Sequence, residues 1–429
     1  MRHRLFFCLL VIVFIFGTHN AGARPHQALN SIDALDKQIE ATLAYLSTGK
    51  IDHARLLARQ LAWRFPDFAL GQLIHAELEA VSAFKDVSIA DHMPVGQTVS
   101  ELLLEAQRRL NATPKIATST DLSAKDAQKS QLPGNLVQAG KHLTHLVVAD
   151  LESSVLYQYQ VNQQHSTLVR SHYIGSGEGG FGKRLEGDLK TPLGVYTING
   201  FLSDSSLPDL YGSGALTLDY PNVLDQHLGR TGYGIWLHGV PSAQRSRSPY
   251  SSEGCVTMSN QHLERLATEL DASSTRVILT NTAAELDETY RNTLTEQFHR
   301  LFERYQQAWM SGNETQLMSL YTDHQYLRLK LDSGHNAFRE VTDTVPDSSR
   351  TSLTFKQTLF RQAFGQVKAE DVSIFLNPDL AHTSQSQPAR IIIDAIFGPA
   401  SEYQITTYWS QSENGDWQVL TESISDSGL

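Results

Sequence analysis

Apolar residues are not spread evenly along the chain, and their spacing changes character several times. Leu5 to Phe16 is an unbroken apolar run, preceded by Arg2 and Arg4 and followed by Ala21-Gly22-Ala23. The run is too short for a membrane-spanning helix, and its flanks predict an export leader over 1–23, with Arg24 the first mature residue and an uncleaved anchor as the alternative. From about Leu29 to Leu110 apolar positions recur at helical spacing, as at Leu56, Leu57, Leu61 and Trp63, with breaks at Gly49 and Pro66. Asn111 to Gly134 is polar and rich in Ser, Thr and Ala, which predicts a linker. From His142 the period falls to two: "HLVVADLESSVLYQYQV", "LVRSHYIGSG", "GVYTING" and "GYGIWLHG" predict short strands. A helix follows residue 255, capped by Ser259 or Asn260, with Leu263, Leu266 and Leu270 on one face, and "RVILTN" closes this unit as a strand. The remainder predicts two helices broken at Ser311-Gly312-Asn313. Long alternating strands come next, "ARIIIDAIFG", "EYQITTYWSQ" and "WQVLTES", with a turn at Asn414-Gly415.

The fold class expected is multi-domain. An α-helical region spans 24–112, a linker 113–138, a β-rich domain with a few helices 139–285, and an α+β unit 286–429. In the helical region, Gly49, Ala54 and Pro66 resemble the second half of one tetratricopeptide repeat and the first helix of the next. A small helical bundle fits the same residues. Helices first and a curled antiparallel sheet afterwards resemble, at the C-terminus, the cone of the SnoaL-like or nuclear-transport-factor-2-like fold. Such cones host enzymes or simply bind.

Charge narrows the partners. The net charge is −11, and loss of the leader, with Arg2 and Arg4 but no acidic residue, makes it more negative. That argues against nucleic acid as the main partner. The cysteines are more informative. Cys8 departs with the leader, so Cys255 is left without a partner in a chain expected to be exported to the periplasm. Exported cysteines usually pair. A lone thiol retained in an oxidising compartment points to chemistry.

Two other motifs do not hold up. Gly175, Gly177 and Gly180 form GxGxxG, but the chain then runs to Pro192 without the helix start a dinucleotide site requires, so these glycines are expected to shape a flexible loop. His142 and His145 form HxxH, but in an extended segment they face opposite ways and no third ligand is near. No cofactor and no metal are therefore expected. The thiol needs a base, and His238 stands at the end of an apolar strand seventeen residues earlier. Gly254 permits the tight turn that exposes Cys255, and the Gly254 and Cys255 amides can face a developing oxyanion. Arg245 and Arg247, in the loop between, are candidates to meet a substrate carboxylate.

"GDLKTPLGVYTI", "GYGIWLHGV" and "SSEGCVTMSN", in that order and spacing, resemble the YkuD-type L,D-transpeptidase catalytic domain, over about a third of the chain, 139–285. The resemblance implies a cysteine enzyme acting on peptidoglycan stem peptides. Cys255 would be the nucleophile and His238 the general base. The Gly239 carbonyl would orient the imidazole, and amides around Gly254 and Cys255 would bind the oxyanion. Lys190, with Thr191 and Pro192, would frame the site. Two positions depart from the family pattern: Glu253 stands where many members have histidine, and Thr257 where many have Arg or Asn. Both are candidate substrate-contacting positions, and they leave substrate preference open.

The implied reaction cleaves the bond between an L-centre diamino acid and D-alanine through a thioester. Attack by an amine makes the enzyme a transpeptidase. Attack by water makes it an L,D-carboxypeptidase, and the three-domain order also resembles carboxypeptidases that trim stems in curved and helical bacteria. A non-catalytic wall-binding protein is the alternative of another class. The flanking domains are expected to engage wall or a protein partner, residues 240–253 and 175–182 offer material for a lid, and 290–429 are expected to be dispensable for folding of the catalytic domain.

Overall fold

The computed structural model describes residues 25–83, 101–102, 104–109, 132–163, 165–283, 285–322, 364–378, 390–397, 403–412 and 414–426. The expected leader and most of the linker lie outside them.

Among the described residues, the helical region stacks α1 (Pro25–Ser47), α2 (Ile51–Arg64) and α3 (Ala69–Ala83), with α2 packed between its neighbours, and residues 101–102 and 104–109 are helical as well. Gly49 takes φ +71° at the first turn, and Pro66 lies between α2 and α3. The buried face of α2 is not the one its large residues mark. Ala54, Ala58, Leu61 and Ala62 face inward, while Leu56 and Trp63 are exposed. Small residues there let α1 and α3 approach closely, and Ile39, Leu43, Phe68 and Leu73 fill the space they leave.

The β-rich unit holds three small sheets. The first, in order β4-β3-β2-β12-β6, comprises β2 (His145–Asp150), β3 (Val155–Val161), β4 (Ser166–Tyr173), β6 (Gly194–Tyr196) and β12 (Thr275–Thr280), with β2 and β12 parallel. The second is β11-β9-β8-β7, from β7 (Ile198–Ser203), β8 (Gly214–Leu218), β9 (Trp236–His238) and β11 (Val256–Thr257). The third pairs β5 (Ser176–Gly177) with β10 (Tyr250–Ser252). A short helix α4 (Val223–His227) follows β8, and α5 (Asn260–Glu269) follows β11, with Ser259 as its cap: the Ser259 hydroxyl accepts the His262 N–H. Leu263 and Leu266 of α5 join Val147, Leu237, Val256 and Leu279 in one core that binds the first two sheets together.

The C-terminal unit starts with α6 (Glu288–Ser311), capped by Asp287. Left-handed Gly312 ends α6 and Asn313 caps α7 (Glu314–Leu320), so the break at 311–313 is where the sequence places it. Its antiparallel sheet runs β1-β13-β14-β15-β16, from β13 (Ser373–Leu376), β14 (Arg390–Phe397), β15 (Tyr403–Gln411) and β16 (Trp417–Asp426). Its edge, β1 (Leu136–Gln138), comes from the end of the expected linker and pairs with β13, Leu136 opposite Phe375. The boundary at 138 is thereby corrected: three residues are too few to show a period, and their partner is more than two hundred residues away. The sheet is covered on both faces. Ile391 and Ile393 pack toward Phe298, Tyr305 and Trp309 of α6, whereas Ile392, Phe375 and Tyr408 join Leu146, Val148 and Ile278 of the β-rich unit. Burial on both faces explains why "RIIID" reads as a continuous apolar run.

Candidate active site

Cys255 is the residue before β11, and β11 lies parallel to β9 with Thr257 opposite His238. One strand spacing and two residues separate the Cys255 and His238 backbones, about 8 Å between Cα atoms, which side chains can bridge. The turn that presents the thiol is tightly held. Ser252 Oγ donates to the Cys255 carbonyl at 2.6 Å and accepts the Gly254 N–H at 3.2 Å. Gly254 has φ +132°, and a Cβ there would sit 2.7 Å from the Lys190 carbonyl oxygen. Both facts demand glycine. The turn does not, however, offer two free amides, since the Gly254 N–H is engaged by Ser252; that part of the oxyanion expectation is corrected.

His238 is 3% exposed, and its Nδ1 lies 2.7 Å from the Gly239 carbonyl oxygen. Burial pushes the imidazole down to about 4, against the Gly239 hydrogen bond and aided by the Arg247 charge. Burial likewise pushes the Cys255 thiol up to about 11, with Glu253 adding to it while the Trp236 backbone and Lys183 pull the other way. The thiol donates to the Gly234 carbonyl at 3.2 Å. At neutral pH the pair thus rests as thiol and neutral imidazole, not as an ion pair. A neutral imidazole is a base ready to accept the thiol proton as attack begins.

The other expected residues separate. Lys190 forms part of the wall against Gly254 through its carbonyl. Glu253 is exposed at the mouth, close enough to the thiol to perturb it. Arg247 is half-buried beside His238, and its carbonyl accepts the Tyr173 hydroxyl at 3.0 Å. Arg245 turns away: its Nε pairs with Asp67 at 2.7 Å, between α2 and α3, so its role as a substrate contact is corrected to a domain contact. Thr257 is buried and exchanges both backbone hydrogen bonds with Gly175, at 2.9 and 3.0 Å, which corrects its placement at the substrate.

Tyr211, Asp188, Lys183 and Ser252 lie at the site and carry no role in the sequence analysis. Tyr211 meets His238 edge-on, ring centres 5.0 Å apart, and contacts Trp236 at 5.1 Å. Burial first, then the Cys255 and Glu253 charges, raise its hydroxyl. Asp188 explains its place in "GDLKTP". It accepts the Arg184, Leu185 and Lys190 amides at 2.8, 3.0 and 3.1 Å and pairs with buried Lys183 at 2.8 Å. It thereby folds the loop that brings Lys183 toward the thiol. Ser252 carries a polar side chain in a motif where only its neighbours drew notice.

The lid expectation is also corrected. Residues 175–182 and 240–252 are hydrogen-bonded to each other and to the frame. Ser176 and Gly177 pair with Tyr250 and Ser252, and the Gly177 N–H reaches Thr191 Oγ1 at 2.8 Å. Outside, the helical region grips the same loop. Glu105 accepts Ser246 Oγ at 2.8 Å, Arg108 reaches the Tyr250 hydroxyl at 2.6 Å, and Arg109 lies 4.1 Å over the Tyr173 ring.

The fold and site define a β-rich domain with a thiol on a glycine turn and a buried imidazole on the neighbouring parallel strand. Residues 144–279 match the family model of the L,D-transpeptidase catalytic domain, YkuD, and the chain carries that domain there. The chain is similar to the solved structure of the helical cell shape determining protein Pgp2 from Campylobacter jejuni, at 20% identity over 68% of this chain and 95% of that one, TM-score 0.47. It is similar to Bd1075 from Bdellovibrio bacteriovorus at 20% identity over 69% and 98%, TM-score 0.46. An L,D-transpeptidase from Stackebrandtia nassauensis aligns at 15% identity over 45% and 70%, TM-score 0.23. No curated protein matches the chain.

Proposed function

We propose that this protein is a periplasmic, peptidoglycan-modifying cysteine L,D-transpeptidase acting on stem tetrapeptides. The observation that carries the reading is the parallel pairing of β11 with β9, which sets Cys255 one strand and two residues from His238, with the imidazole tied through Nδ1 to Gly239. Nε2 takes the thiol proton as Sγ attacks the carbonyl between the diamino acid and D-alanine. The Cys255 N–H faces the oxyanion. The C–N bond breaks, imidazolium returns the proton to the leaving amine, and a thioester remains. An amine or water then attacks the thioester.

A second reading, L,D-carboxypeptidase, is favoured by the mouth. Exposed Glu253 and half-exposed Tyr211 flank the thiol, and the neighbouring loops are pinned, so water has access. The C-terminal unit, read as a SnoaL-like cone, and the helical region would then position wall or a partner. Incubation of purified tetrapeptide muropeptide with a labelled D-amino acid, read by mass spectrometry, tests both. Tripeptide release together with label exchange is expected. Tripeptide as sole product at every label concentration makes it a carboxypeptidase. No turnover and no acylation of Cys255 by a carbapenem would leave a wall-binding protein.

A further inference from the structure

Asn260 is the first residue of α5, yet its side chain does not cap that helix; Ser259 does. Its Oδ1 instead accepts two backbone N–H groups, from Ser213 at 3.1 Å and from Val240 at 2.9 Å. The Val240 N–H and the Gly239 C=O belong to one peptide unit, planar and trans, so they point in opposite directions. One end of that plane is held by Asn260 and the other accepts His238 Nδ1 at 2.7 Å. Space is cleared for this contact. A Cβ at Gly239 or Gly212 would collide with Asn260 Oδ1, and Gly212 has φ +58°.

The second contact acts on the same imidazole. Ser213 is also tied by its hydroxyl, which donates to the Asn260 carbonyl at 3.0 Å. Ser213 ends the Tyr211-Gly212-Ser213 segment, and Tyr211 is the ring that packs edge-on against His238. Both restraints on the imidazole, a hydrogen-bond acceptor and an aromatic edge, therefore run through Asn260.

We infer that Asn260 is a positioning residue for the thiol–imidazole pair. By holding the Gly239–Val240 peptide, it fixes the tautomer with the proton on Nδ1 and leaves the Nε2 lone pair for the Cys255 proton. It is the side chain that a triad would supply, acting through one intervening peptide. The inference rests on the general-base reading of His238, and its test uses no peptidoglycan. The alkylation rate of Cys255 by iodoacetamide in the full chain reports the pair directly, so failure of the tether and failure of the proposed reaction are read apart.

Asn260→Ala is expected to slow alkylation at pH 7 by about tenfold or more, a misplacement effect. Asn260→Asp keeps an acceptor oxygen for both amides and is expected to stay within about threefold of wild type, since both contacts survive. Combined with His238→Ala, Asn260→Ala should add nothing, because the two act as one unit. Nitrogen NMR of His238 in the unaltered protein should show the proton on Nδ1, a reading that stands whether or not the Ala variant folds. A wild-type rate in Asn260→Ala, equal losses in the Asp and Ala variants, additivity in the double variant, or a proton on Nε2 in wild type would each overturn the inference.

Discussion

At the scale of residues, burial sets the resting state of the pair and so its response to pH. His238 is depressed to about 4 and Cys255 raised to about 11, both chiefly by burial. A base whose value is lowered is in its neutral, competent form above that value. The rate of Cys255 alkylation should therefore rise as pH climbs through about 4 and then hold a plateau. It should rise again only as the thiol ionises near 11. A single sigmoid centred near the ordinary thiol value, about 8.5, would show that the imidazole does not activate it. His238→Ala should lower the plateau about 100-fold. Cys255→Ser should abolish turnover of tetrapeptide with the fold intact, since a hydroxyl has no comparable activation here; retention of more than a few per cent of activity would sink the mechanism. Cys255, His238 and Gly254 stand out in the sequence as a lone thiol, a base within reach and a turn residue, and Gly239 only through the family resemblance. Tyr211 and Asn260 do not stand out, because each matters only through what the tertiary fold sets against it.

At the scale of elements, the helical region serves as a brace for the segment between His238 and Cys255. Its anchor is Asp36 of α1, which contacts His262 of α5 at 3.2 Å and Arg109 at 3.4 Å. Burial raises the Asp36 carboxyl, but the His262 and Arg109 charges outweigh it and hold it down at about 2. A carboxylate depressed in the folded state contributes stability above its unfolded value and loses it as pH falls through the folded one. Docking of α1 should thus weaken between about pH 4 and pH 2. Asp36→Ala should speed hydrogen exchange across 245–252 at neutral pH, because removing it takes one counter-charge from buried Arg109 and leaves His262 without its acid. Unchanged exchange there would show that the brace does not bear on the loop. Elements with enough residues to show a period were legible: β2, β3, β14 and β15, and the break at Gly312. The short strands β1, β10 and β11 exist only because a distant strand pairs with them, whereas β6 and β9, no longer than three residues, lie inside segments whose pattern marks them. The buried face of α2 is not marked by its apolar spacing, since alanines line it for close helix approach while Leu56 and Trp63 are left outside.

At the scale of the whole molecule, the sequence suggests a catalytic domain separable from the C-terminal unit, because every motif of the site precedes residue 286. The packing argues otherwise. Phe375, Ile392 and Tyr408 of the C-terminal sheet complete a core with Leu146, Val148 and Ile278 of the β-rich unit, and β1 crosses from one unit to the other. At that seam Arg276 of β12 is buried, its Nε and Nη2 on Asp394 Oδ2 at 2.8 and 2.5 Å. Asp394 is further satisfied by Gln404 at 3.0 Å. Deleting 290–429 would therefore expose an apolar face and strand a buried guanidinium. The truncated chain is expected to aggregate or to melt well below the full chain in circular dichroism, rather than to survive as an active domain. Single changes isolate the electrostatic part. Arg276→Ala or Asp394→Ala should each cost about 3–5 kcal/mol in denaturant unfolding, the penalty for leaving one buried charge alone. Replacing both at once by apolar residues of similar size, Arg276→Met with Asp394→Leu, should recover most of that loss, because no uncompensated charge remains. A truncated chain with the melting temperature and tetrapeptide turnover of the full protein would show that the two units merely touch.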